Sequence, residues 1–438
     1  MSQKLDFSIS SLGKCTIQSP MPYSSSDESG GARFVGDDEY VLSSNTMNIQ
    51  EMNTLLKNEI LLEKAGPREK IYFNPNHIHA GIVTCGGLCP GLNDVIRAVV
   101  RTLWYRYGVK RISGIRMGYK GFLPEYNLPL KELNPTIVDH IHNMGGSILG
   151  SSRGGSDTVR IVDAMERMNL NILFTIGGDG TQRGALALTE EIKKRKLNIS
   201  VIGIPKTIDN DLSYIHKSFG FDTAVERAVE AVQTAHTEAK SAIDGVGLVK
   251  VMGRESGFIA AHTSLAISDV NFTLIPEVKF KLEGENGLLK KLDERLDARH
   301  HAVIVVAEGA GQDLLEESGE TDESGNKRLS DIGIYLKNKI NEHFKEIGRE
   351  STLRYIDPGY MLRASAAAPV DSLYCARLGA NAVHSAMTGR TAMLISEWNN
   401  AFVHVPIAMA VSKKNSVDPE GSLWRDVIES TRQPSRMC

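Results

Sequence analysis

Ile172-Leu173-Phe174-Thr175-Ile176 runs directly into Gly177-Gly178-Asp179-Gly180-Thr181, an apolar run ending in glycines around one carboxylate. The apolar run reads as a strand buried on both faces, the pattern of a parallel sheet. Val201-Ile202-Gly203-Ile204 repeats the arrangement and runs into Pro205-Lys206-Thr207-Ile208-Asp209-Asn210-Asp211. Loops at the carboxyl ends of neighbouring strands are where open α/β sheets hold their ligands. Glycines let main-chain N–H groups approach phosphate oxygens, and an isolated Asp among them is a natural magnesium ligand. Phosphoryl transfer is the chemistry these two loops predict.

The second loop adds the groups such a reaction needs. Asp209 and Asp211 are two apart, so on an extended segment they face one side. One of them can accept a proton from an attacking hydroxyl while the other assists its orientation. Lys206 favours their ionised forms and can offset charge on a migrating phosphoryl group.

Other strand ends carry related groups. Cys85-Gly86-Gly87-Leu88-Cys89-Pro90-Gly91 follows the strand Gly81 to Thr84 and suits a phosphate-binding turn. It fits neither G-x-G-x-x-G nor the P-loop pattern, so a dinucleotide fingerprint is not supported. Gly150-Ser151-Ser152-Arg153-Gly154-Gly155 formally matches the hydrolase pattern G-x-S-x-G, which requires a partnered His. Arg153 among small residues is better suited to gripping phosphate with its planar fork of donors. Met252-Gly253-Arg254, Glu308-Gly309, and Tyr360-Met361-Leu362-Arg363 preceded by Arg354 each bring charged or hydrogen-bonding groups to a strand's end. Together they suit a polyhydroxylated, phosphorylated substrate.

From His79 onward strands and helices alternate, which predicts βαβ units and a mainly parallel sheet. Strands are expected at Arg111 to Met117, Val246 to Met252 and His301 to Ala307. Helices are expected after Asn93 as a cap, from near Ser156-Asp157, over Asp222 to Lys240 and over Asp371 to Met387. The 438 residues exceed one ordinary core. Residues 1–75, with the polar cluster Ser24 to Gly31 and then a helix around Ile49 to Glu63, are expected to be an extension that is partly disordered at its start. Residues 76–240 and 241–395 are expected to form two α/β lobes, and 396–438 to return to the first. The segment Asp313 to Ser330 reads as an exposed loop.

A net charge of −3 lacks the basic stripe of a nucleic-acid or membrane-surface binder. No apolar run reaches the length of a membrane span and no signal segment opens the chain, so a cytoplasmic location is expected. Cys15, Cys85, Cys89, Cys375 and Cys438 lack framework or zinc spacing and read as reduced thiols.

These blocks, in this order, resemble the phosphofructokinase family from about His79 to Arg390. The glycine loop resembles Gly86-Gly87, and the phosphate-gripping Arg matches Arg153 beside Gly154. The magnesium loop matches Gly178-Asp179-Gly180-Thr181, and the base loop matches Thr207-Ile208-Asp209-Asn210-Asp211. The sugar-phosphate loops match Met252-Gly253-Arg254, Glu308 and Tyr360-Met361-Leu362-Arg363. NAD kinases and diacylglycerol kinases share the Gly-Gly-Asp-Gly-Thr loop but lack the base loop.

The resemblance implies two Rossmann-like α/β lobes, mainly parallel sheets, and an active site in the cleft between them. It implies magnesium at Asp179, fructose 6-phosphate as acceptor, Asp209 as base and a homodimer or homotetramer in which Arg354 reaches a neighbour's site. The family contains ATP-dependent and pyrophosphate-dependent members. Gly180 is the ATP-type residue, because a carboxylate there would crowd and repel the nucleotide's α-phosphate. Lys206 is typical of the pyrophosphate enzymes. The combination resembles the atypical ATP-dependent branch, and sterics at Gly180 favour ATP, with pyrophosphate as the alternative. A non-catalytic regulatory subunit is the other alternative, against which the retained Asp179, Asp209, Asp211, Arg153 and Arg254 argue. Tyr360 stands where bacterial members have His, and the segment His236 to Gly245 is longer than theirs. Arg97 and Arg101 fall where bacterial members bind effectors, or simply line a helix face.

Overall fold

The structure, a computed structural model, describes residues 5–24, 31–44, 60–154, 157–316, 319–321 and 329–437. In chain order the strands of its two large sheets are β1 (His79–Thr84), β2 (Arg111–Ile115), β3 (Lys131–Glu132), β4 (Ile172–Gly177) and β5 (Ser200–Pro205), then β6 (Gly245–Val251), β7 (Phe272–Leu274), β8 (His301–Ala307) and β9 (Thr352–Ile356), and finally β10 (Met393–Trp398) and β11 (Ala401–Pro406). The helices that matter for the site are α1 (Leu92–Arg101), α2 (Thr158–Arg167), α3 (Asp179–Lys194), α4 (Phe221–Lys240), α5 (Phe258–Ile267), α6 (Ile332–Glu346), α7 (Gly359–Ala364), α8 (Pro369–Met387) and α9 (Ser422–Thr431).

The chain divides into two compact units. The first takes residues up to Thr207, Leu212–Gly220 and Ser365–Lys413. Its sheet has the order β11-β10-β5-β4-β1-β2-β3. The five central strands run parallel, and β3 and β11 close the edges antiparallel. Every residue of β1, β4 and β5 is buried, because helices cover both faces. From β1 the chain steps to β2 on one side and returns to β4 on the other. The β1 and β4 loops therefore flank the point where strand order reverses, the place at which open sheets bind ligands.

The second unit comprises Ile208–Asp211, Phe221–Ala364 and the residues from Lys414 onward. Its sheet, β7-β8-β6-β9, is parallel throughout. The carboxyl ends of β8, β6 and β9 lie side by side, and they carry Glu308, Met252-Gly253-Arg254 and the Asp357 to Arg363 loop. Two α/β units with mainly parallel sheets are therefore as expected.

The boundaries differ from expectation. The chain enters the second unit briefly at Ile208–Asp211 and then passes to it after Gly220, not near residue 240, so α4 belongs to the second. The reason is that α4 packs on β6. It returns at Ser365, so α8 joins the first unit, where it packs on α1. Residues 396–413 do return to that unit, but those from Lys414 onward do not, since α9 packs on α5. Asn93 does not cap α1. Gly91 occupies the cap in the left-handed region at φ 95°, and the Asn93 amide instead joins Met144 O and Ile148 N.

The amino-terminal extension packs on the first unit wherever it is described. Ser10–Ser11 pairs with Arg390–Thr391, and Leu62 is buried with Leu212, Ile215, Leu394, Val403 and Val405. The expected helix is not seen at its end, because Leu61–Glu63 is a strand paired with Tyr40–Leu42. Leu62 faces in while Leu61 faces out, an alternation of period two. Its remaining part, 49–59, lies outside the described residues, as do 25–30 of the polar cluster and much of the 313–330 loop. No helix of the described residues is long and apolar enough to cross a membrane.

Candidate active site

In the first unit, three loops converge through hydrogen bonds. The register of β1, β4 and β5 aligns Thr84 with Ile176, and Gly177 with Pro205, so their loops start level. Cys85 N donates to Ile176 O at 2.9 Å, and Lys206 N donates to Gly177 O at 3.0 Å. The buried Lys206 turns back across this face and donates from Nζ to Gly87 O at 2.8 Å. Gly86 N donates to Ser152 O at 3.0 Å, and Ser151 Oγ donates to Gly86 O at 2.6 Å. These bonds seat the Ser151 to Gly154 segment on the glycine loop.

The glycines are needed because their neighbours are close. A Cβ at Gly87 would lie 3.1 Å from a guanidinium nitrogen of Arg153, and one at Gly86 would lie 3.1 Å from Lys206 Nζ. Gly86 also has φ 86°, a conformation that favours glycine. At Gly180 a Cβ would meet no atom within 4 Å, so this exposed glycine borders open space. Gly178 caps α3, whose first turn holds Asp179, Gly180 and Thr181. The free amides of a helix start, with its positive dipole end, favour an anion there. The Asp179 carboxylate pairs with Arg183 Nε at 3.0 Å. Among the described residues no group of three or more acidic, His or Cys side chains could hold a metal. A lone carboxylate fits magnesium, which takes few protein ligands and completes its shell with phosphate and water oxygens.

The second unit holds the base loop. Asp209 receives a backbone hydrogen bond from Arg254, and its own carbonyl accepts from Ser256 Oγ at 2.9 Å. Its Oδ1 is buried and has no hydrogen-bond partner among the described residues. Burial, then Asp211 and Glu308, push the Asp209 carboxyl up to about 8. An orphaned buried carboxylate oxygen poised to take a proton is what a general base requires. Burial also raises the Glu308 carboxyl, against Lys250, Arg254 and Arg363, which pull it down. Lys250 pairs with Asp331 at 2.7 Å and Asp357 at 2.9 Å, which ties the Asp357 loop to the end of β6.

Other residues read from the sequence stand apart from these clusters. Ile208 and Leu362 are buried, so their side chains serve as anchors and leave only backbone for a ligand. Tyr360 and Met361 are exposed at 79% and 62%, with the Arg363 guanidinium 4.7 Å from the Tyr360 ring centre. Arg354 lies mid-strand in β9, exposed, and pairs with Glu238 at 3.4 Å. Arg254, Glu308 and Arg363, by contrast, follow the carboxyl ends of β6, β8 and β9. Arg97 Nε donates to Asp139 O and Arg101 pairs with the Asp139 carboxylate, along one face of α1. Lys250, Arg183 and Lys414 carry no motif, since each is a single charge, on a strand, a helix and a coil respectively.

A profile of the phosphofructokinase family matches residues 79–386. The chain belongs to the phosphofructokinase family. An ATP-dependent 6-phosphofructokinase of Borreliella burgdorferi is 56% identical over 99% of this chain and 98% of its own length. One of Amycolatopsis methanolica is 45% identical over 98% and 95%. The solved pyrophosphate-dependent phosphofructokinase of Nitrosospira multiformis has a TM-score of 0.67 over 82% of this chain and 92% of that one. At 19% identity it shares the fold alone.

A phosphofructokinase fold with so tight a junction between the β6 and β8 loops tolerates little added volume there. A Cβ at Gly309 would stand 1.8 Å from Arg254 O, so the backbone of one loop must move. Gly309→Ala is expected to lower stability by about 1–3 kcal/mol, the range for overpacking, as urea unfolding would measure.

Proposed function

We infer that this chain transfers the γ-phosphoryl group of ATP to the 1-hydroxyl of fructose 6-phosphate, giving fructose 1,6-bisphosphate and ADP. The near full-length identity to proteins named ATP-dependent 6-phosphofructokinase is the observation that carries this reading. The open space beside Gly180 supports ATP as donor, since a nucleotide's α-phosphate needs room next to the first turn of α3.

The residues take the following roles. The amides at Gly86, Gly87 and Gly178 to Thr181 hold the donor's phosphates, with Arg153 and Gly154 bordering the β/γ region. Magnesium held by Asp179 and phosphate oxygens would neutralise part of the charge on the transferring group. Lys206 carries positive charge on the glycine-loop face and stabilises charge developing on the phosphoryl oxygens. Met252, Gly253, Arg254, Arg363 and Tyr360 hold the sugar phosphate, and Glu308 accepts from sugar hydroxyls. Asp209 takes the proton from the 1-hydroxyl as that oxygen attacks, and Asp211 assists its orientation. Positioning and electrostatics supply most of such a rate, because phosphoryl transfer leaves little covalent work to the protein.

A homodimer or homotetramer, with Arg354 completing a neighbour's site, fits the exposure of that side chain. The thiols of Cys15, Cys85 and Cys375, which form no disulfide among the described residues, fit a reducing compartment such as the cytoplasm. The deciding experiment measures fructose 1,6-bisphosphate formed by the purified chain with ATP or with pyrophosphate. Turnover with ATP supports the assignment. Turnover with pyrophosphate alone would transfer it to the class to which Lys206 points.

A further inference from the structure

The segment Val411 to Val417 carries no motif, yet it holds the base loop through several contacts. Arg183, whose Nε holds Asp179, donates from Nη2 to Val411 O at 2.7 Å. Ser213 Oγ donates to Lys413 O at 2.9 Å. Further along, Lys414 Nζ lies 2.8 Å from Asp211 Oδ2 and 3.6 Å from Glu255 Oε2. Asn415 N donates to Asp211 O at 2.9 Å, and its Nδ2 donates to Asn210 O at 3.3 Å. Val417 N donates at 2.7 Å to Glu277 Oε1, which also accepts from Gly257 N at 2.9 Å.

These bonds surround a turn that needs support. Asn210, between the two aspartates, has φ 55° in the left-handed region, which Asn tolerates better than most residues. Asp209 is faced by Asp211 on its own loop, Glu308 at the end of β8, Arg254 after β6, and Lys414. Three carboxylates in one corner repel one another and repel a phosphorylated substrate, unless a cation offsets them.

We propose that Lys414 is a positioning residue for phosphoryl transfer: its ammonium holds Asp211 and, with Asn415, fixes the turn at Asn210 so that the Asp209 carboxylate keeps its aim. This rests on the reaction assigned above. A merely solvated ion pair would contribute about 0–1 kcal/mol of stability and leave catalysis alone. Lys414 is 39% exposed, so its replacement should not unfold the chain.

The test uses the full chain with ATP and fructose 6-phosphate, and follows kcat and kcat/KM from pH 6 to 10 for wild type, Lys414→Met and Lys414→Arg. Lys414→Met is expected to lower kcat about ten-fold at pH 7 and to move the acid limb of kcat/KM up by about one pH unit, as loss of a nearby cation does. The KM for ATP should stay within about two-fold, because no donor contact is removed. Lys414→Arg should restore the profile. A Met variant with unchanged kcat and unchanged limb overturns the proposal. Should the Met variant not melt cooperatively, Lys414→Gln is read by the same two criteria. Wild type inactive with ATP and fructose 6-phosphate would overturn the assigned reaction and this inference with it, whereas an active wild type beside an unaffected variant overturns this inference alone.

Discussion

Asp209→Asn is expected to lower kcat by about 10²–10⁴-fold, the usual contribution of a general base, with little change in either KM. The amide keeps the shape of the carboxylate and loses its ability to take a proton. In the wild-type chain the Asp209 carboxyl is pushed up to about 8 by burial, Asp211 and Glu308, with Arg254 N–H and Lys414 opposing. A base acts only when ionised, so kcat/KM, which reports the free protein, should rise with pH and level off above about 8. The stability consequence has the opposite sign. The folded value lies above the unfolded value of about 3.9, so the folded state binds the extra proton. This group's stabilising contribution is complete below about pH 4 and is lost as pH climbs through about 8. Asn carries no such charge. The melting temperature of Asp209→Asn relative to wild type should therefore be near zero difference at pH 4 and increasingly positive toward pH 8. Near-normal turnover by the variant would remove Asp209 from the role of base, whatever the melting data show.

The parts of this chain that can be read from sequence are those whose physics is local. β4, β5 and β8 are continuous apolar runs because helices bury both faces of their sheets, and glycines follow β4 and β8 where backbone approaches another loop. The unit boundary is different. Thr207 to Ile208 passes between units without a Gly- or Pro-rich linker, so composition does not mark it. The strand β3 is a two-residue antiparallel edge, too short to show any period. Asn93 looked like a cap because its side chain is of the capping type, yet a left-handed Gly91 starts the helix and frees the amide for a loop. Lys414 was beyond reach for a further reason. Its partner Asp211 lies 203 residues earlier, and one lysine in a polar coil resembles any solvated charge. The motifs therefore mark the groups proposed to meet the ligands, while the groups that hold those motifs in place came only with the tertiary structure.

Gly180→Asp is expected to reduce ATP-dependent kcat/KM by about a thousand-fold while leaving the fold intact. A carboxylate within about 4 Å of the α-phosphate costs on the order of 4 kcal/mol at an effective dielectric near 20, which is about three decades of rate. The chain itself offers no obstacle, since a Cβ at this position meets no atom within 4 Å. Position 180 lies in the first turn of α3, where Asp replaces a poor helix former and complements the dipole. The melting temperature should accordingly hold or rise slightly, which separates an effect on the donor from an effect on folding. Gly180→Ala adds volume without charge and should retain most ATP activity, so the pair divides repulsion from crowding. Pyrophosphate has no adenylate portion to be repelled, so any residual transfer in the Asp variant should favour it as donor. Should Gly180→Asp use ATP as well as wild type, the donor's α-phosphate does not approach this turn, and Gly180 does not set nucleotide specificity.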